Sequence, residues 1–309
     1  MRDLGVNISV DLAGLKMKNP LIAASGCYGY GRDYSSVISP ESWGAITVKG
    51  TTLQRKEGNP PPRLIETPSG LINSVGLQNP GIEKVIKEEV PFMKESSVPF
   101  IINISGESMD EYVLLAEKVN FISGIDALEL NISCPNVKKG GISFGSDPSV
   151  VKELVEKVKK VYRKTLIVKL SPNTGDIAAI AVAAEEGGAH VLSLINTVKA
   201  MKIDIETERP VLEMVAGGLS GPAIRPVALR AVWEVAGAVK IPLIGMGGIT
   251  TAADALQFLL AGASAVAIGT ANFVDPYTVI KIKEGIEDYM RRKGYTVIED
   301  FRGAARRVL

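Results

Sequence analysis

Eight short apolar or β-branched runs recur along the chain, most of them followed by a segment with helical periodicity. They lie at 21–24, 45–48, 100–104, 127–130, 166–170, 191–195, 242–245 and 265–268. Each is continuous rather than alternating, which suits parallel strands covered on both faces. The helical segments carry start signals. Ser108 and Glu111 form a capping-box pair. Asp147-Pro148 supplies an N-cap and a proline at the first helical position, and Thr250 or Thr251 can cap a helix ending before Gly262. Eight strands alternating with helices predict an α/β fold of the (β/α)8 TIM-barrel type, with one domain over 1–309. An open doubly wound sheet is the runner-up, but the early glycines Gly26, Gly29 and Gly31 lack the G-x-G-x-x-G spacing. Two stretches break the alternation, at about 51–81 and 197–221, and both follow strands. That places them at the C-terminal face of the barrel, where this architecture holds its active site.

The strand ends converge on that face. They bring Ser25, Lys49-Gly50, Asn103, Asn131, Lys169, Asn196-Thr197, Gly247-Gly248 and Gly269-Thr270 toward one mouth. Two lysines and three asparagines around one point are poorly explained by packing, because buried polar groups need partners. The last two ends are glycine loops, the recurrent place for a phosphate in this fold, and a helix starting at Thr251 would aim its positive end there. Cys134 stands where the fourth strand gives way to a turn and a glycine-rich loop, and its thiol is a candidate nucleophile or proton acceptor. Free cysteine is more commonly a small buried hydrophobe. The lysines fit either a Schiff-base aldolase or the neutralising of an anionic substrate or reduced cofactor.

The composition excludes several classes. Thirty-five basic residues against 34 acidic ones leave a formal charge of +1, with no electrostatic footprint for nucleic acid or an anionic membrane. Cys27 and Cys134 are the only cysteines, too few for a disulfide framework or zinc motif, and a reducing, cytoplasmic setting is the simplest expectation. Residues 1–12 lack the apolar stretch of a signal peptide, and the longest apolar run, 177–184, is too short to span a bilayer. The single histidine, His190, precedes the sixth strand and reads as structural.

Seven motifs then carry a resemblance. They are VKGTTLQRKEGNPPPR at 48–63, NSVGLQNPG at 73–81, NISCPN at 131–136, KLSPN at 169–173, INT at 195–197, GGLSGPAIRP at 217–226 and LIGMGGITTAADALQFLLAGA at 243–263. In this order they resemble the catalytic subunit of class 1 dihydroorotate dehydrogenases, more closely class 1B. The resemblance implies an FMN enzyme that oxidises dihydroorotate to orotate in pyrimidine synthesis. It implies FMN contacts from Ser25, Lys49, Gly50, Asn103, Asn131, Lys169, Ile195, Gly221, Gly247, Gly248, Gly269 and Thr270, with the phosphate on the last four. Substrate would meet Lys49, Asn73, Ser74, Val75, Gly76, Leu77, Asn131, Asn196 and Thr197. Cys134 would be the base that takes the C5 proton while a hydride leaves C6 for FMN. Lys138, Lys139, Gly140 and Gly141 would make its loop a lid. Class 1B further implies a partner subunit carrying FAD and a [2Fe-2S] cluster that delivers electrons to NAD, around a homodimer core within a heterotetramer. The chain's two cysteines agree, since such a cluster normally takes four. The alternatives are a class 1A-like, fumarate-linked enzyme and a related FMN pyrimidine reductase. Cys27 would lie near the flavin end, bordering the partner or simply packing.

Overall fold

The computed structural model describes residues 5–133, 135–136 and 142–308. The eight runs form a closed barrel of parallel strands: Leu21–Ala23, Ala45–Thr47, Phe100–Ile104, Ala127–Asn131, Thr165–Leu170, Val191–Leu194, Leu243–Met246 and Ala265–Ile268. Each strand pairs with its neighbours in sequence, and the eighth closes on the first through Val266↔Leu21. Phe100–Ile104 and Thr165–Leu170 are buried at every residue, as strands between a packed interior and a ring of helices must be. Helix and strand meet closely: a Cβ added to Gly245 would lie 2.6 Å from the Phe258 ring of the following helix. Glycine there lets the helix Ala252–Ala261 sit against the seventh strand.

The sequence signals mark the helix ends with one exception. Ser108 Oγ accepts from Glu111 N, but the Glu111 carboxylate reaches back to Glu107 N at 2.8 Å, so the reciprocal half of that capping box does not form. Asp147 caps Pro148–Val161 by accepting from Ser149 N. Thr251, not Thr250, caps Ala252–Ala261, and Asp254 closes a full capping box. The apolar run near 177–184 is a helix, Ile177–Glu186, capped by Asp176. Among the described residues no helix is long and apolar enough to cross a membrane.

The two irregular stretches meet on the C-terminal side. Leu64–Thr67 and Gly70–Asn73 from the first, with Val198–Ala200 and Gly217–Ser220 from the second, make one antiparallel sheet. Its central join pairs Gly218 with Asn73 and Leu219 with Ile72. A second feature escapes the eight-run pattern. Val10–Leu12 and Leu15–Met17 form a hairpin, and Thr165 Oγ1, at the start of the fifth strand, donates to Ala13 O. The hairpin therefore packs beneath the opposite end of the barrel.

Candidate active site

The strand ends open into a cavity of about 890 Å³, within the usual size of a cofactor or small-molecule site. Its lining includes every described residue that the resemblance assigns. The FMN set is present from Ser25 to Thr270, and the substrate set from Lys49 through the loop at 73–77 to Asn196 and Thr197. Cys134 and the lid residues Lys138, Lys139, Gly140 and Gly141 lie outside the described residues.

The floor is polar and ordered by hydrogen bonds. Asn131 ends the fourth strand; its Oδ1 accepts from Asn196 Nδ2 at 3.3 Å, and its carbonyl accepts from Tyr112 OH. Asn196 Nδ2 also donates to Ser133 Oγ, while its Oδ1 accepts from Thr197 N. Lys169, on the neighbouring strand in register with Asn131, is 7% exposed, and no carboxylate among the described residues lies within ion-pair distance. A buried ammonium left this way suits an electron-rich occupant. Lys49 likewise has no carboxylate in ion-pair reach among the described residues. Burial pushes its ammonium below the usual lysine range, and the nearby Arg63 guanidinium adds to that. An anionic ligand would relieve both effects.

The loop at 73–77 is held from behind. Asn79 donates to Leu77 O and Thr52 Oγ1 and accepts from Thr52 N and Gly81 N, so all four of its hydrogen-bonding positions are used. Leu77 sits at φ 55, in the left-handed region a leucine seldom adopts. Ser74 Oγ is buried with no partner among the described residues, a polar atom available to a ligand.

At the other end, Asp254 corrects the expectation for the helix at Thr251. Its carboxylate accepts from Thr250 N, Thr250 Oγ1 and Thr251 N and pairs with Arg225 at 2.5 Å. The N–H groups of Thr250 and Thr251 are therefore already taken by the helix's own acid. Gly248, Gly269 and Thr270 line the cavity instead, and their N–H groups have no acceptor among the described residues. A Cβ on Gly269 would find its nearest neighbour, Cys27 Sγ, at 3.6 Å, so neighbouring residues do not require this glycine. The opening it leaves beside free N–H groups fits a phosphate.

Three residues at or behind the site were not singled out by the strand-end pattern. Cys27 lines the wall; burial pushes its thiol up to about 11, outweighing the opposing effect of Lys169 and Lys49, so it is a neutral thiol near pH 7. Arg63 donates to Gln78 and Asn59, tying the loop base beside Lys49. Glu129 lies beneath Asn103, and its signal was a lone acid inside an otherwise apolar strand. His190 accepts from Leu166 N and contacts Lys159, away from the cavity lining.

The family model described as dihydroorotate dehydrogenase matches residues 7–290. A protein of Thermoanaerobacter pseudethanolicus is 55% identical over 285 residues, covering 92% of this chain and 94% of that one. Relatives from Caldicellulosiruptor saccharolyticus and Bacteroides thetaiotaomicron are 52% and 51% identical over 298 residues, covering 96% of this chain and 99% and 98% of theirs. All three are named dihydroorotate dehydrogenase B (NAD(+)), catalytic subunit. With a (β/α)8 barrel and a polar mouth of this kind, the chain belongs to the dihydroorotate dehydrogenase family.

Proposed function

We propose that the protein is the catalytic subunit of a B-type dihydroorotate dehydrogenase, which oxidises dihydroorotate to orotate in pyrimidine biosynthesis and passes the electrons to NAD through a partner. The observation that carries this reading is the single cavity that joins a cationic, amide-rich floor to free backbone N–H groups. FMN fits those residues, and when bound it supplies the hydride acceptor. Gly247, Gly248, Gly269 and Thr270 would hold the phosphate, and Ser25, Gly50, Asn103, Asn131, Lys169, Ile195 and Gly221 the remainder.

The chain's own side chains do the rest. Lys49 pairs with the substrate carboxylate, and its lowered affinity for a proton reflects burial that an anion would offset. Asn73, Asn131 and Asn196 present donors and acceptors that match a ring of alternating N–H and C=O groups. Ser74 Oγ, Val75, Gly76, Leu77 and Thr197 close around the ring's other side. Lys169 counters negative charge that gathers as the substrate is oxidised. Cys134 takes the C5 proton, and the loop 138–141 excludes water.

The partner carries FAD and a [2Fe-2S] cluster in this reading. Phe273 lines the cavity and is 49% exposed, with Val274 at 83% and Tyr277 at 52% beside it. That apolar rim continues the wall around Cys27 and suits the electron-transfer subunit. A second exposed apolar group, including Met201, Ile203, Ile205 and Met214 at the second excursion, suits the homodimer contact. The protein works in the cytoplasm on this account.

The purified chain should be yellow and bleach when dihydroorotate is added without oxygen. A colourless protein, or a flavin unmoved by dihydroorotate, removes the reading. Cys134→Ser should keep the flavin and slow bleaching by about 10²–10⁴-fold near neutral pH. Unchanged stopped-flow bleaching would take Cys134 out of the mechanism. The isolated chain should reduce an artificial dye and not NAD.

A further inference from the structure

Glu129 is 2% exposed, on the fourth strand inside the barrel, and does not line the cavity. Its Oε2 accepts from Asn103 Nδ2 at 2.6 Å and its Oε1 accepts from Ser193 Oγ at 2.7 Å. The three residues lie on the third, fourth and sixth strands, so the carboxylate ties those strands beneath the cavity floor. A buried carboxylate is costly unless its oxygens are paired, and both are.

Both Glu129 oxygens act as acceptors, one from Asn103 and one from Ser193. Asn103 must therefore turn its NH₂ down toward Glu129. The other half of the amide is left for the cavity. Asn103 Oδ1 lies 3.0 Å from where a Cβ on Gly50 would stand, and both residues line the mouth.

The geometry points to Glu129 as a positioning residue that makes Asn103 an acceptor toward the cofactor and so selects an occupant presenting an N–H at that point. This rests on the FMN reading above. An oxidised flavin ring carries one N–H, at N3, and that group meets the requirement. The pyrimidine end of the flavin then lies over the third and fourth strands, and the phosphate over the seventh and eighth. Glu129 never touches the cofactor; it acts by fixing the polarity of Asn103.

The test compares two flavins on the full-chain apoprotein: FMN and 3-methyl-FMN, in which the N3 hydrogen is replaced by methyl. Wild type should bind FMN about tenfold or more tightly than the methyl analogue, since methylation leaves Asn103 Oδ1 unpaired and crowded. Glu129→Met keeps similar bulk and removes the acceptor, so Asn103 can turn. FMN should weaken about tenfold while 3-methyl-FMN changes little, so the discrimination should shrink by that same factor of about ten. Ser193→Ala removes the other hydrogen bond, leaves Asn103 anchored and should keep the discrimination. If Glu129→Met gives no folded apoprotein, Glu129→Asp, which withdraws the acceptor by one methylene, should show the same loss in weaker form. Equal affinity of wild type for the two flavins overturns the assignment. Undiminished discrimination in a folded Glu129 variant overturns it too, and so does loss of discrimination in Ser193→Ala. Apoprotein that binds neither flavin defeats the FMN reading itself, a result distinct from FMN binding without discrimination.

Discussion

Every residue of the barrel strand Phe100–Ile104 is buried, whereas Leu64–Thr67 in the sheet over the mouth alternates exposed and half-buried positions. The barrel is held by apolar packing on both faces of its strands. The upper sheet is held mainly by backbone pairing; of its two central strands, Gly217–Ser220 brings two glycines and no fully buried residue, and Gly70–Asn73 buries only Ile72. One region supplies stability and fixes the strand ends; the other shapes the mouth and has little apolar area to lose. Damage to the first should appear as unfolding, and damage to the second as lost substrate affinity.

The strongest challenge to that division is Phe258→Ala. The ring is fully buried against Gly245, and its loss should cost about 3–5 kcal/mol. Thermal melting should fall clearly while orotate affinity, measured well below the melting temperature, stays near wild type. A large affinity loss in a folded variant would mean the regions are not separable.

Lys49→Ala tests the mouth. Orotate should bind more weakly by about 1.5–3 kcal/mol, roughly ten- to a hundredfold, with little change in melting temperature. The pH dependence sharpens this. In the proposed complex the charged form of Lys49 pairs with the carboxylate, and that form is lost as pH rises through the residue's lowered pKa. Titration of the flavin spectrum should therefore show orotate affinity falling below the ordinary lysine pKa of about 10.4. Lys49→Arg should move that fall upward.

The smallest effect concerns the upper sheet itself. A Cβ on Gly218 would lie 2.0 Å from Thr197 Oγ1 and 2.6 Å from Thr197 Cβ. Gly218→Ala should displace Thr197 and raise the KM for dihydroorotate roughly tenfold, with melting shifted only slightly. An unchanged KM would separate Thr197 from the substrate.

The same contrast explains what could be read from the residues alone. The barrel strands announce themselves because burial on both faces demands unbroken apolar runs, and their ends then collect Lys49, Asn103, Asn131 and Lys169 without reference to any relative. The upper sheet is silent because its key pairing joins Asn73 to Gly218, a contact that no local period encodes. The hairpin Val10–Met17 did carry a signal, since Val10, Leu12, Leu15 and Met17 are buried around an Ala13-Gly14 turn. Its strands of three residues were too short to stand out. Glu129 was hidden for another reason: a lone acid in an apolar run reads as an exception until Asn103 and Ser193 are found at its two oxygens.

The pairing of Gly70–Asn73 with Gly217–Ser220 also sets an order of events during synthesis. The segment bearing Asn73 to Leu77 leaves the ribosome early, yet the strand that braces it is made only after the sixth barrel strand. Contacts so far apart in sequence form late, because loop closure precedes their reward. A nascent chain stalled before residue 217 therefore holds half of the proposed orotate pocket with nothing behind it, and competence for substrate waits both for the second excursion and for the seventh and eighth strands that close the barrel.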